Sequence, residues 1–501
     1  MIVRAPLHIC GETCLQAEFD IPDSVSGMSI GIDPKGAFAY SLAVLFDAGG
    51  ALRYNKWLRS GEGLSLGLDP SHTGLGGMPG PVHPGRWTLR LFTPGFVDLE
   101  LLSQREEGLP DITVHGGETA PDEPLQGETM VFGDCIGNAE GAGSGAIESV
   151  KISSEQADWY KGDFHAHTRL SDGKESVASA VEKARRLNLD FYTATDHNTI
   201  HTAWPDAPPF MLPGMEITSK RGHFNIIGLR GLPSDFFEPE CMDEGFVVPE
   251  RMQAILSESA KSGAVNSMNH PFLCEWKWDL PEMPLALFHT VEIICDPTYP
   301  FSREANERAL ALWTRLWNRG NRIYGLGGSD SHNLEHERYD GASSPSIPGD
   351  PASWVYCGPL ARDGLVCGVK SGHVWVCRGG VKLHPKFLTE GTSFMPGDRI
   401  RGKNENDVSS LSCSLSADGV IEGLRAQWVV NGEVLEEIPL REKDFLFRID
   451  IDESRYTWVR IDIRDADGAL YGFVNPVWWG KRPDGFRTFA QASNGISGVT
   501  R

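Results

Sequence analysis

The sequence is short of the features that would mark a secreted, membrane-spanning or nucleic-acid-binding chain. Ten cysteines are scattered through 501 residues without a C-x-x-C pair. Cys10 and Cys14 form a C-x3-C, but no second pair follows at zinc-finger spacing, so a thiolate zinc module and a disulfide scaffold are both disfavoured. Small buried hydrophobes in a reducing compartment are the expectation, with the cytoplasm as default. No run approaches the ~20 apolar residues that cross a bilayer, and the opening "MIVRAPLHICGETC" does not read as a secretory signal. Basic residues are outnumbered, 46 against 68, for a formal charge of −22. Nucleic acid and anionic membranes would be repelled, whereas a small anionic substrate beside bound cations would not. No G-x-S-x-G nucleophile elbow lies near "GMEITS", and "GLGGSD" lacks the lysine and spacing of a phosphate-binding loop.

Hydrophobic content of 40% and charged content of 23% suit a globular protein, and the length predicts two to three domains. Residues 1–155 alternate short apolar segments with Gly/Pro-rich turns. "FAYSLAVLFD", "RWTLRLF" and "VDLELL" read as strands, Trp87 as buried, and the region as an N-terminal β-sandwich closed by the linker "GNAEGAGSGAIESV". This region is expected to pack on the mouth of the next domain, limit substrate size or drive oligomerisation, and deleting residues 1–150 is expected to harm solubility or specificity more than metal content. Over 156–384 helix-like stretches ("ESVASAVEKARRLN", "PERMQAILSESAKSG", "REANERALALWTRLWNRG") precede short strands that end in polar residues. That is the pattern of a βα barrel or doubly wound sheet, whose chemistry sits at the carboxyl ends of its strands. Residues 385–485 return to strands, with a hairpin signal at Asn431-Gly432 and an Asp-Gly turn at 467–468, and predict a C-terminal β-sandwich. The tail, 486–501, is expected to be loose.

The polar strand ends carry one kind of chemistry. "DFHAHTRLSDG" places His165 and His167 at i, i+2, which on an extended segment share a side, with Asp172 close behind. "TATDHN" adds His197, "GMEITS" Glu216, "KRGHF" His223, "NHP" His270, and "GGSDSH" Asp330 and His332. A lone histidine at a strand end is ordinarily a hydrogen-bonded core or surface residue. Nine imidazoles and carboxylates at successive strand ends would bury several charges without partners unless they hold metal. Their donor set suits Zn, Mn or Fe, with Mg admissible, at two or three divalent sites.

Together "DFHAHTRLSDG", "TATDHN", "NHP" and "GGSDSH" resemble the four motifs of the PHP (polymerase and histidinol phosphatase) superfamily over about 158–380. "GMEITSKRGHFNIIG", "LWTRLWNRG", "VKSGHVWV" and "NPVWW" resemble its carbaryl-hydrolase-like (CehA/McbA) branch. The resemblance implies a distorted (β/α)7 barrel with metals at the strand ends. His165, His167, Glu216 and Asp330 would hold the first. Glu216 would bridge to a second with His223 and His270, for which His201 and Cys295 are nearby substitutes. Asp172, His197 and His332 would hold a third, and Asp196 would orient an imidazole.

Metals in such a site lower the pKa of water from about 15.7 toward about 7, and the hydroxide formed attacks an ester. Glu216, Asp330 and His332 are the candidates for direct catalytic roles, with Asp330, His332 or a water as proton donor. Lys220 and Arg221 are candidates for a substrate phosphate, and Trp276 or Trp278 for an aromatic wall. Lys161, Arg169 and Lys174 are weaker anion candidates. Three functions follow: a phosphoesterase acting on a small phosphorylated molecule, a carbamate or carboxyl ester hydrolase of aryl esters, and a non-catalytic metal-containing binding protein. A small-molecule ester is the expected partner, and a second copy of the chain is a candidate.

Overall fold

A computed structural model describes residues 1–23, 25–32, 40–59, 61–95, 97, 99–103, 109, 111–117, 121, 124–125, 157–204, 208–401, 410–441, 443 and 445–496. The expected linker at 137–150 and residues 497–501 lie outside them.

The N-terminal strands alternate buried and outward residues, so two sheets can close over one core. Five strands run in the order His8–Gly11, Cys14–Ile21, Gly85–Phe92, Ser41–Phe46, Leu52–Leu58, and four in the order Ile2–Pro6, Asp111–Gly116, Met28–Ile32, Leu64–Leu66. Leu15, Phe19, Leu45, Trp87, Ile30 and Val114 fill the space between them. Trp87 is fully buried, and its Nε1 donates to the His83 carbonyl at 2.8 Å. "VDLELL" departs from its strand reading: Leu99–Ser103 is a short helix. Leucine and glutamate are strong helix formers, and the stretch is too short for its alternation to identify a strand.

The central region is mixed α/β, rich in sheet. Gly214–Ser219 and Gly222–Ile227 form an antiparallel hairpin that pairs antiparallel with Val265–Met268. Thr290–Cys295 and Tyr324–Gly328 then follow in parallel. Asp158–Asp163, Phe191–Tyr192 and Phe210–Met211 belong to a second sheet of nine strands. Among the described residues the ladders do not close into one continuous (β/α)7 barrel; the two sheets meet through single parallel bridges, Ala166 to Ser331 and His197 to Glu216. Both bridges lie at strand ends that carry candidate ligands.

The three helices fall where their apolar spacing puts them. Val177–Arg186 begins at Ser176, whose side chain accepts from the Ser179 amide and caps the first turn. Pro249–Lys261 has proline in its first turn. Ser302–Asn318 buries Ala305, Ala309, Leu312, Trp313 and Leu316 along one face. The indoles of Trp313 and Trp317 both donate to the Ile323 carbonyl, at 2.9 and 3.0 Å. That contact fixes the entry to Tyr324–Gly328, the strand that delivers Asp330.

The C-terminal strands do not form a free-standing pair of sheets. Leu470–Trp479, Thr457–Arg464, Arg425–Val430 and Glu433–Pro439 extend the nine-stranded sheet outward from Val374–Cys377. A four-stranded sheet, Thr392–Phe394, Lys382–Thr389, Ser410–Asp418 and Phe445–Asp450, packs on that extension around Trp375, Trp428 and Leu411. The Asn431-Gly432 hairpin is present, both residues at positive φ as a tight turn needs. The tail is not loose over 486–496. Phe489–Ser493 is helical, and buried Phe489 stacks near Trp278 and Phe272. Phe489, Ala492 and Ile496 provide the apolar anchor.

Candidate metal centre

His165 and His167 project from the extended segment that continues Asp158–Asp163. Asp163, fully buried, accepts from the amides of His165, Ser329 and Gly349 and so ties both ligand-bearing segments together. Burial pushes its carboxyl up to about 6. Gly328 is needed for the approach: a Cβ there would stand 2.4 Å from the Cβ of His165.

His165 Nε2 lies 3.2 Å from Asp330 Oδ1 and 3.4 Å from Glu216 Oε1. His167 Nε2 lies 3.0 Å from the same Asp330 oxygen and 3.5 Å from Glu216 Oε2. Glu216, fully buried on the hairpin, also meets His223 Nδ1 at 3.2 Å, His270 Nε2 at 3.5 Å and His197 Nδ1 at 2.8 Å. Asp172 faces His332 Nε2 at 3.3 Å and His197 Nε2 at 3.5 Å. All nine residues picked from the sequence thus converge. They fall into overlapping groups suited to a metal ion, including His165–His167–Asp330, His165–Glu216–His270, His197–Glu216–His223 and His167–Asp172–His197–His332. His167 and His197 serve more than one group, which strand-end spacing could not reveal.

The donor atoms fit divalent cations better than they fit one another. His165 Nε2, both nitrogens of His167, Glu216 Oε2, His223 Nδ1 and His270 Nδ1 are buried and make no hydrogen bond. Buried polar atoms in this number are rare unless something outside the chain binds them. Burial opposes charge throughout, yet the imidazoles of His197, His165 and His223 hold the Glu216 carboxyl well below the usual range. His165 and His167, with His332, do the same for Asp330. Burial and its two histidine neighbours, His332 and His197, push His167 down to about 4. It is therefore a neutral imidazole at neutral pH.

Glu292 escaped the sequence reading. It sits in Thr290–Cys295, a fully buried strand. Its Oε1 is 2.7 Å from His165 Nδ1, and its Oε2 accepts from the His270 amide at 3.0 Å. A carboxylate there fixes the His165 tautomer and leaves Nε2 free to bind. The signal was present as a lone glutamate inside the apolar run "TVEIIC". Glu292→Gln is expected to weaken metal affinity about 10–100-fold, read by chelator competition. Asn269 was also missed; its Nδ2 donates to Glu216 Oε1 at 2.7 Å and orients that carboxylate.

Other nominated residues take different places. Asp196 pairs with His201 at 2.5 Å and accepts from Thr168 and Ser171, so it organises the loop before Asp172. Cys295 joins a group with His165 and Glu292, whereas His201 stacks on Trp204. Lys220 pairs with Asp243 and Glu244, and Arg221 with Asp279. Lys161 donates to the Leu187 carbonyl, Arg169 pairs with Glu62, and Lys174 with Glu337. Trp278 is core, while Trp276 is exposed with its ring 6.1 Å from that of Tyr299.

The fold and this constellation define a mixed α/β protein with a His/carboxylate cluster able to hold divalent metal ions. Among the described residues no helix is long and apolar enough to cross a membrane. No family model matches the chain, and no curated protein does. Among solved structures, it is similar to a two-domain protein from Bacteroides vulgatus ATCC 8482 containing a predicted PHP-like metal-dependent phosphoesterase. That match has 17% identity and a TM-score of 0.35, covering 66% of this chain and 100% of the other. A proposed metal-dependent phosphoesterase from Bifidobacterium adolescentis ATCC 15703 matches at 18% identity and a TM-score of 0.25, over 38% of this chain and 92% of the other. At these scores the likeness is too slight to assign a family or an activity.

Proposed function

We propose that the protein is a metal-dependent hydrolase of the PHP superfamily, built on a distorted (β/α)7 arrangement and acting as a phosphoesterase on a small phosphorylated molecule. The observation that carries this reading is the convergence of nine imidazoles and carboxylates, five of which (His165, His167, Glu216, His223 and His270) keep buried nitrogen or oxygen atoms without a hydrogen bond. The likeness of the four sequence motifs supports the superfamily. Two or three divalent ions would be held by His165, His167 and Asp330, by Glu216 with His223 and His270, and by Asp172, His197 and His332. Bound there, they would make water nucleophilic at neutral pH and offset charge on the leaving oxygen. The residues' own part is to fix that geometry: Glu292 and Asn269 aim His165 and Glu216, and Asp163 locks the strand ends together. A water, or His332 where the third ion is absent, would pass a proton to the leaving group.

Hydrolysis of an aryl carbamate or carboxyl ester, as in the carbaryl-hydrolase-like branch, is the second reading. Trp276 and Tyr299 present aromatic surface, and Lys220 and Arg221 are already paired with carboxylates rather than left for a phosphate. Metal-loaded protein assayed on p-nitrophenyl phosphate beside a 1-naphthyl carbamate separates the two. Phosphate release is the expected result. Turnover of the carbamate alone selects the second reading, and a metal-loaded protein inert on both is a binding protein.

A further inference from the structure

The strand Leu52–Leu58 is the outer strand of its five-stranded sheet, yet every residue in it is buried. An outer strand ordinarily presents an open edge; here residues 76–78 cover its first half and the loop that carries Asp172 its second. Asn55, Trp57 and Arg59, at alternate positions and so on one side, each hold backbone of the loops that carry Asp172 and His197. Arg59 donates to the carbonyls of Arg169 at 3.2 Å, Ser171 at 3.1 Å and Gly173 at 2.9 Å, a three-point grip around Asp172. The Trp57 amide donates to the Leu170 carbonyl at 3.0 Å, and its indole Nε1 donates to the carbonyl of His197 itself at 2.8 Å. Asn55 pairs both ways with the backbone of Ile200, accepting at 2.7 Å and donating at 3.2 Å. Lys174 N closes the circuit by donating to the His332 carbonyl at 2.8 Å.

We infer that Trp57 and Arg59 are positioning residues for the metal group Asp172–His197–His332, so that the N-terminal sheet is part of the metal centre. The hydrogen bonds that Asn55, Trp57 and Arg59 make to the central region reach the loops of Asp172 and His197, while the strand ends bearing His165, Glu216, His270 and Asp330 are held by central-region groups such as Asp163, Asn269 and Glu292. A fixed backbone is what gives two flexible loops a common donor geometry. On this inference, deleting residues 1–150 would cost metal at this group as well as solubility or specificity. The inference rests on the metal-site reading above.

The test uses the full chain with Trp57→Phe, which keeps a packed ring but removes the indole donor, and Arg59→Lys, which keeps the charge but cannot span three carbonyls. Zn2+ or Mn2+ is titrated by chelator competition, with bound metal counted by mass spectrometry. Each variant is expected to weaken one metal equivalent about 10–100-fold and leave the others at wild-type affinity. Equal weakening of every equivalent, or none, overturns the inference; the first would mark a merely structural role. Wild-type protein that takes up no divalent metal overturns the hydrolase reading and this inference together. A wild type that loads fully while both variants match it overturns the inference alone.

Discussion

Glu216→Gln is expected to lower the hydrolysis rate by about 10³-fold or more and to strip metal from the protein. Glu216 is fully buried and lies within 3.5 Å of five imidazoles, those of His165, His167, His197, His223 and His270. Glu216 stands in two of the metal groups, as His167 and His197 do, and His165 stands in three. Glutamine keeps the shape and removes the charge, so any loss reports the anion rather than a cavity. The amide also carries an N–H donor where a cation needs a lone pair. Because the carboxylate is shared, its loss should reach both groups that contain it, His165–Glu216–His270 and His197–Glu216–His223. The measurement is kcat/KM on whichever ester the wild type turns over, with metal content taken on the same samples. A Glu216→Gln protein holding wild-type metal and a rate within tenfold of wild type would remove Glu216 from the centre.

The convergence on Glu216 was legible because its contributors stand at the ends of apolar strands, where a polar residue breaks an otherwise buried pattern. His165 and His167 show it most plainly, since the two-residue period of an extended segment sets both rings on one side. Glu292 was hidden for the complementary reason: it stands mid-strand between Val291 and Ile293, so the glutamate reads as an irregularity in a core strand. Asn55, Trp57 and Arg59 were hidden more deeply. Their contacts run to loops more than a hundred residues away, and nothing in "LRYNKWLRS" points to them. The pairing of sheets was likewise beyond local pattern. Strand periodicity marks the elements, but whether Ala166 meets Ser331 by a full ladder or a single bridge depends on long-range packing. The anchored tail at 486–496 shows the limit of judging order by the density of apolar residues, since one helix with Phe489 in the core is enough to seat it.

Metal affinity at the Asp172–His197–His332 group is expected to rise at least about tenfold per pH unit between about 6.5 and 9, some 10²-fold or more in all. In the metal-free protein burial opposes a charged His332, but Asp172 at 3.3 Å and Asp330 at 3.6 Å outweigh it and push its pKa from 6.5 up to about 9. Because the folded value is raised, the stabilisation that this protonated ring contributes is complete below pH 6.5 and is lost as pH passes through about 9. Nδ1 is 2.7 Å from the Asp330 carbonyl, which can only accept, so Nδ1 keeps its hydrogen and Nε2 is the atom that titrates. Metal needs the lone pair on that same Nε2, and binding must therefore expel one proton across this window. His167, already neutral with a pKa of about 4, adds none, whereas His197, raised well above 6.5 by Asp172 and Glu216 against its burial, adds a second. Calorimetry in buffers of different ionisation enthalpy counts the protons released, and chelator competition across the pH range gives the slope. Asp172→Asn removes the anion that holds the proton, so proton release at pH 7.5 should shrink even as affinity falls. Proton release that is absent at pH 7.5, or affinity that stays level from pH 6.5 to 9, would show that His332 Nε2 is not a ligand.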